Sequence, residues 1–257
     1  MTQTETSIAR LALIGASGRM GSRIEALAAS DEAIRIACRV SRAGLHGHAA
    51  RGEIDVIVDF SSEAGTRQAI QLAKSSGAAL LVGTTGLQTE VRLELDSLAR
   101  TNAVLIAPNT SLGVAVTRKL ARLAAELLGP SGWAVDIVES HHDRKKDAPS
   151  GTALAIARSL DEGGMSVDSG RIHAIRAGDT IGEHEIRFAG PSERIHLTHQ
   201  AVSRDLFAAG ALRAAKWLAG RSAGLYSMDH VLGEGSPATP AKSEPRPREA
   251  SEPRTGA

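Results

Sequence analysis

Two histidines, two lysines and a Pro-Ser-Gly-Thr helix start share one fourteen-residue stretch, Glu139-Ser140-His141-His142-Asp143-Arg144-Lys145-Lys146-Asp147-Ala148-Pro149-Ser150-Gly151-Thr152. Imidazole exchanges protons near neutral pH. Lysine adds a compact positive charge and a second proton source. A helix beginning at Ser150-Gly151-Thr152 would turn its unpaired first-turn N–H groups toward an anion. These residue types suit a small acidic substrate that undergoes proton transfer. The same charges could instead form a solvated loop ahead of a helix, so the rest of the chain has to decide between the two.

A second motif lies near the N-terminus. Ile8 to Ile14 is a short apolar run of buried-strand type. It leads into Gly15-Ala16-Ser17-Gly18-Arg19-Met20-Gly21, and a helical pattern follows from about Met20 to Ala29. Strand, glycine-rich turn and helix form the dinucleotide-binding arrangement. Gly15 permits the tight turn, Gly18 lets the backbone approach a pyrophosphate, and Gly21 allows close helix–strand packing. The spacing is GxxGxxG rather than the commoner GxGxxG. Arg19 suits a phosphate contact, or else faces water. The next strand, Ala33 to Val40, should end near the adenosine ribose. NAD-preferring domains place an acid there, about 20 residues beyond the glycines. This chain has Ser41-Arg42. No carboxylate would repel a 2′-phosphate and Arg42 could pair with one, so NADPH is expected to be preferred over NADH.

Composition narrows the class. The chain has 257 residues, a net charge of +1, few aromatic residues and one cysteine, Cys38. Its core must rest on Ala, Leu, Ile and Val. Near-neutral charge argues against dedicated nucleic-acid binding. A single cysteine excludes an intrachain disulfide and a cysteine-based zinc cluster, and Cys38 reads as a small core residue. No run approaches the 18 apolar residues of a membrane span, and MTQTETSIAR lacks the basic-then-apolar pattern expected of a signal sequence. A cytoplasmic protein with no membrane partner is expected. His46-x-His48 and His141-His142 raise the question of zinc. Adjacent histidines on a strand point apart, and no nearby cysteine or third histidine completes a set. No metal site is expected.

The elements that must position these residues fall into two groups. Strands at Ile54–Phe60, Ala78–Val82 and Ala103–Ala107 alternate with helices at Glu63–Ser75 and Gln88–Arg100, which implies right-handed βαβ units and a parallel sheet. Ligands bind at the carboxyl ends of such strands. Phe60-Ser61-Ser62, Gly83-Thr84-Thr85 and Ala107-Pro108-Asn109-Thr110 all fall at such ends, together marking a cofactor cleft. Beyond Pro108 the pattern changes. Thr117–Leu128 reads as an amphipathic helix with Leu120, Leu123, Ala124, Leu127 and Leu128 on its apolar side. Strands follow at Trp133–Glu139, Arg171–Arg176, Glu183–Ala189 and Arg194–Gln200, with a helix at Gly151–Leu160. A helix at about Ser203–Leu218 returns to the first group. The fold class is therefore α/β: a Rossmann-like parallel-sheet domain over 1–108 and 204–233, and an α+β substrate domain with a mixed sheet over 109–203. The Pro/Ser/Glu/Arg-rich tail, 234–257, buries too little to order itself.

These residues resemble the 4-hydroxy-tetrahydrodipicolinate reductase (dihydrodipicolinate reductase) family over about Ile8 to Leu232. GASGRMG (15–21), GTTG (83–86), PNTSLGV (108–114), ESHHDRKKDAPSGTA (139–153) and IRAGDTIGEH (175–184) carry the resemblance. It implies NAD(P)H-dependent reduction of a small cyclic dicarboxylate, 4-hydroxy-tetrahydrodipicolinate, to tetrahydrodipicolinate in diaminopimelate and lysine biosynthesis. It implies His141 as general acid/base, Lys145 as a substrate-binding residue and alternative proton source, and His142, Ser150, Gly151 and Thr152 as substrate ligands. Gly15, Ala16, Ser17, Gly18, Arg19, Met20, Arg42, Gly83, Thr84, Thr85, Ala107, Pro108, Asn109 and Thr110 match the family's cofactor contacts. It further implies a homotetramer built through the second sheet. Where the family usually has Glu-Arg and uses both cofactors, this chain has Ser41-Arg42, which agrees with the NADPH preference. The Ser41–Gly52 connection is shorter than in many members. Two other readings compete: a reductase of a related carboxylated imine or semialdehyde, and a non-catalytic dinucleotide sensor. Intact His141, Lys145 and Ser150-Gly151-Thr152 argue against the sensor.

Overall fold

The computed structural model describes residues 8–41, 44–47, 52–233 and 235–237. In chain order its first elements are β1 (Ala9–Ile14), α1 (Arg19–Ala28), β2 (Ile34–Ser41), β3 (Gly44–Gly47), β4 (Val56–Asp59), α2 (Glu63–Ser76), β5 (Ala79–Val82), α3 (Thr89–Leu98) and β6 (Ala103–Ile106). They are followed by α4 (Leu112–Leu128), β7 (Ala134–His141), α5 (Gly151–Glu162), β8 (Ile172–Arg176), β9 (Glu183–Ala189), β10 (Arg194–Gln200), α6 (Asp205–Leu218), β11 (Gly224–Tyr226) and α7 (Met228–Val231).

The first sheet has the order β11-β6-β5-β4-β1-β2-β3. All its pairings are parallel except β2 with β3. Both faces are covered, which is why its strands are continuously apolar rather than alternating. Leu11, Leu13, Val56, Val58, Leu81 and Leu105 pack with α1 and with Ala208, Ala211 and Leu212 of α6. Ala12, Ile14, Ile57, Leu80 and Val82 pack on the other side with Ala69 and Ile70 of α2 and Val91 and Leu95 of α3. The register aligns the strand ends: Ile14 pairs Asp59, Asp59 pairs Val82, and Val82 pairs Ile106. The loops that follow β1, β4, β5 and β6 therefore start at one level.

The second sheet has the order β10-β9-β7-β8, with β7 parallel to β8 and the other pairs antiparallel. One face packs on α4 and α5 through Val135, Ile137, Ile186, Phe188, Ala121, Ala125, Ile156 and Leu160. Residues alternate along β7, so Val135, Ile137, Glu139 and His141 all point to this covered face. The inward side is apolar for two positions and ionisable for the next two.

Three expectations change. The Ser41–Gly52 connection contains β3, an antiparallel edge strand whose run of Gly44-Leu45-His46-Gly47 lacks the β-branched signature of a strand. Helix α4 starts five residues earlier than expected, capped by Ser111, whose hydroxyl accepts from Val114 N at 3.1 Å. Its leucine side is not the core side: Leu120, Leu123 and Leu127 are 45%, 50% and 68% exposed, while Ala121 and Ala125 are fully buried. Small residues face inward because the adjoining chain comes close, and a Cβ on Gly163 would stand 2.5 Å from Arg122 O. After α6, β11 extends the first sheet beside β6 and α7 follows. Except for 235–237, the 234–257 tail lies outside the described residues, as do Arg42 and His48.

Candidate active site

The aligned ends of the first sheet make a cradle of backbone. Gly15 N donates to Val40 O, Phe60 N to Ile14 O, Gly83 N to Asp59 O and Ala107 N to Val82 O, at 2.8 to 3.2 Å. Gly15 has φ +80°, and a Cβ there would lie 2.4 Å from Phe60 O. A Cβ on Gly21 would lie 2.3 Å from Gly15 O. The turn closes this tightly only with glycine at both positions. Helix α1 then begins at Gly18 with no side-chain cap and no acid in its first turn. Its first-turn N–H groups are free for an anion, and the cradle fits a dinucleotide pyrophosphate. Ala16 is buried, Met20 half-buried, and Ser17, Gly18 and Arg19 are exposed along this turn.

A buried carboxylate ties the neighbouring loops together. Asp59 ends β4 with no exposed surface. It accepts hydrogen bonds from the hydroxyls of Ser61, Thr66 (2.6 Å) and Thr84 (3.0 Å). Thr84 Oγ1 in turn accepts from Ser61 N at 2.9 Å. The Phe60 ring lies where a side chain on Gly83 would go, 2.1 Å from its Cβ position. Thr84 is thus buried and Thr85 exposed at the lip. Burial outweighs the three hydroxyls and raises the Asp59 pKa above the ordinary carboxylate value.

The second sheet supplies titratable groups. His141 ends β7, is nine-tenths buried, and its Nδ1 contacts Glu139 Oε2. A carboxylate is acceptor-only when ionised, so Nδ1 carries the proton and Nε2 is the free ring nitrogen. A Cβ on Gly182 would come 3.0 Å from that Nε2, so glycine keeps the space open. Glu139 is fully buried. Arg176 Nη1 and Nη2 donate to its two oxygens at 3.0 and 2.9 Å, and Ser150 N donates at 3.0 Å. The penalty of burial is outweighed by Arg176 and His141, and the Glu139 pKa falls. Burial also dominates at His141 and lowers its pKa; Glu139 opposes this, while Lys145 and Arg176 add to it.

Ser150 caps α5, its Oγ accepting from Ala153 N at 3.1 Å. The first turn of α5 has no acid, and nothing lies within 4 Å of a Cβ placed on Gly151. Thr152 Oγ1 accepts from Asn109 Nδ2 at 3.0 Å. That bond joins the loop after β6 to the start of α5 and brings the two halves of the site together. Thr110, beside it, is buried and donates to Phe207 O at 2.7 Å; Ala107 is buried and Pro108 exposed. His142 is half-buried, and its Nδ1 has no protein partner. Lys145 Nζ reaches both oxygens of Asp147, at 2.7 and 2.8 Å. Asp143, Arg144 and Lys146 face solvent.

Three residues outside the predicted set stand in this site: Glu139, Arg176 and His184. His184 is 4% exposed, its ring 5.2 Å edge-on from His141, with Nε2 3.3 Å from Ser150 Oγ. Burial, then the charge of His141, holds its pKa down at about 4. Its Nδ1, and that of His199 on β10, are buried without protein partners. Sheet pairing puts Glu139 opposite His184, and His184 opposite His199. A sequence signal existed for one of them: Glu139 occupies the apolar register of β7.

With this geometry in view, comparison with known proteins is decisive. Residues 9–110 match the N-terminal region of dihydrodipicolinate reductase and residues 113–232 the C-terminal region. The chain belongs to the dihydrodipicolinate reductase family. It is 40% identical over 264 aligned positions to the 4-hydroxy-tetrahydrodipicolinate reductase of Alkalilimnicola ehrlichii, covering 87% of this chain and 98% of that one. It is 39% identical to that of Zymomonas mobilis, covering 90% and 99%. Among solved structures it is similar in fold to a dipicolinate-bound dihydrodipicolinate reductase from Paenisporosarcina sp. TG-14, with a TM-score of 0.70 and 22% identity over 87% of this chain and 99% of that one. For this family member, the α/β class with a second mixed sheet is as expected from sequence.

Proposed function

We propose that the chain reduces 4-hydroxy-tetrahydrodipicolinate to tetrahydrodipicolinate, with NADPH as the preferred reductant. Family membership supports the reaction. The observation that carries the site assignment is a nine-tenths buried imidazole, His141, anchored through Nδ1 to Glu139 beside the first turn of α5.

Segments 1–108 and 204–233 hold the cofactor, and 109–203 the substrate. Gly15 to Met20 with the start of α1 receive the pyrophosphate; Gly83 to Thr85 and Ala107 to Thr110 line the nicotinamide end. Bound there, the cofactor supplies a hydride equivalent. Gly151 and Thr152 N–H groups, with Ser150 and His142, hold a substrate carboxylate at the positive end of α5. Water leaves first, the substrate hydroxyl departing with a proton from the neighbouring ring carbon. Hydride addition to the unsaturated ring is then balanced by a proton that His141, in its doubly protonated form, delivers from Nε2. Lys145 contributes charge at the mouth. Its ammonium is engaged by Asp147, which favours His141 as the donor. Ser41-Arg42 favours the 2′-phosphate of NADPH. A cytoplasmic homotetramer assembled through the outer face of the second sheet completes the reading. Ile175, 47% exposed on β8 and opposite the outward-facing Ser140 of β7, suits that contact.

The test is cofactor oxidation at 340 nm with enzymatically generated substrate. Turnover with kcat/KM higher for NADPH than for NADH is expected. Equal or better use of NADH removes the Ser41-Arg42 argument, and no turnover removes the reaction. His141→Gln should lower kcat by about 10²–10⁴-fold and leave the Kd of NADPH unchanged. Near-normal kcat would take His141 out of the donor role. Light scattering tests the tetramer.

A further inference from the structure

Every acceptor position of Glu139 is filled. Oε1 takes Arg176 Nη2 and Ser150 N, and Oε2 takes Arg176 Nη1 and His141 Nδ1. Arg176 Nη2 also donates to Asp147 O at 2.5 Å, so the guanidinium is seated between β7 and the loop ahead of α5. Pairing places Arg176 directly beside His141 across β7 and β8. A lone buried carboxylate touching an imidazole would hold a proton on the ring. One whose charge is offset by a bidentate guanidinium fixes the ring's direction with much less pull on that proton.

We propose that Glu139, fully buried, and Arg176, four-fifths buried, act as one neutral positioning pair that aims His141 Nε2 at the substrate without locking the proton onto the ring. Arg176 is then the residue that keeps His141 able to give its proton away. The inference rests on His141 being the donor. The groups facing the ring are few: Glu139 on its own strand, Lys145 in the next loop, Arg176 on β8 and His184 on β9, with His199 of β10 behind His184. Only Glu139 among them is acidic. The direction of each influence agrees with the geometry, since Glu139 favours the protonated ring while Arg176 and Lys145 oppose it.

The test is NMR titration of the His141 ring in the full-length chain carrying Glu139→Gln, Arg176→Met or both. Arg176→Met should raise the midpoint by about one pH unit, and Glu139→Gln should lower it by a similar amount. The double variant should return toward wild type. Opposite signs separate this pair from mere scaffolding, which would move both midpoints alike or neither; either of those results overturns the proposal. If Arg176→Met does not fold, Arg176→Lys keeps a cation but loses the bidentate contact. A smaller upward shift is then expected, and no shift or a downward one overturns the proposal. The descending limb of kcat/KM against pH should follow the NMR midpoints. Midpoints that move as expected while the kinetic limb stays fixed would uphold the pair and remove His141 as the donor.

Discussion

Asp59 ends β4 and Glu139 lies two residues before the end of β7, and both side chains are without exposed surface. Asp59 is surrounded by hydroxyls and its pKa is pushed up; Glu139 is surrounded by cationic donors and its pKa is pulled down. The same lack of exposed surface therefore goes with opposite electrostatic outcomes, set by how deeply each carboxylate is desolvated and by the type of its partners. The difference matches what each end has to do. On the proposed reading the dinucleotide end holds its ligand with backbone, and Asp59 fastens the loops after β4 and β5 to the first turn of α2. On the same reading the substrate end moves a proton, and Glu139 contacts the His141 ring.

Removing each carboxylate tests the contrast most strongly. Glu139→Ala leaves the Arg176 guanidinium and the Ser150 N–H without their partner, and should cost about 3–5 kcal/mol in chemical denaturation. Asp59→Asn keeps an acceptor for the hydroxyls, which can reverse donor and acceptor roles, and should change stability by at most about 1 kcal/mol. Comparable losses at the two sites would erase the distinction.

The pH dependence should run in opposite senses. The folded-state pKa of Glu139 lies below its unfolded value of 4.5, so its stabilisation is present above pH 4.5 and fades as pH falls through the folded value. The folded-state pKa of Asp59 lies above 3.8, so its contribution is complete below pH 3.8 and is lost as pH rises through the folded value. The Tm deficit of Glu139→Gln should thus shrink on acidification below 4.5. Asp59→Asn should gain on wild type as pH rises from 3.8. Parallel curves for the two variants would contradict both assignments.

Gly83→Ala probes the backbone-built end. The new methyl collides with the Phe60 ring, and overpacking of this kind costs about 1–3 kcal/mol. Displacing Phe60 also disturbs the cofactor lip, so the KM for NADPH should rise about 5- to 100-fold, using 1.4 kcal/mol per decade. The KM for the dicarboxylate should barely move. A larger change in the dicarboxylate KM would mean that the two ends are not separable.

This contrast also governs what was readable in the chain. Gly15, Gly18 and Gly21 are legible because a local turn demands them within seven residues. Ser150-Gly151-Thr152 is legible because helix capping is local too. Glu139 was open to reading, since it falls in the inward register of Val135 and Ile137, but the charge run beside it drew attention to the loop. Arg176 and His184 reach the site only through strand pairing across β8, β7 and β9, which no local spacing encodes. The α4 leucines mislead for a related reason. Periodicity finds an apolar stripe, while close packing near Gly163 selects the alanine stripe beside it.

His184 refines the comparison on the substrate side, and its effect shows only in the pH dependence. Its neutral ring is favoured by burial, so the folded state binds fewer protons than the unfolded one between its pKa of about 4 and the model-compound value of 6.5. Its share of stability is present above 6.5 and is lost as pH falls through about 4. His184→Gln removes that titration, and the fall in Tm between those pH values should be several degrees smaller than in wild type. His141 and His199, whose pKa values are also lowered by burial, keep part of the slope. An unchanged slope in His184→Gln would mean that the ring is not held neutral. The contact from Ser150 Oγ would then be the only restraint on it, and the electrostatics of this end would rest on Glu139, Arg176 and His141 alone.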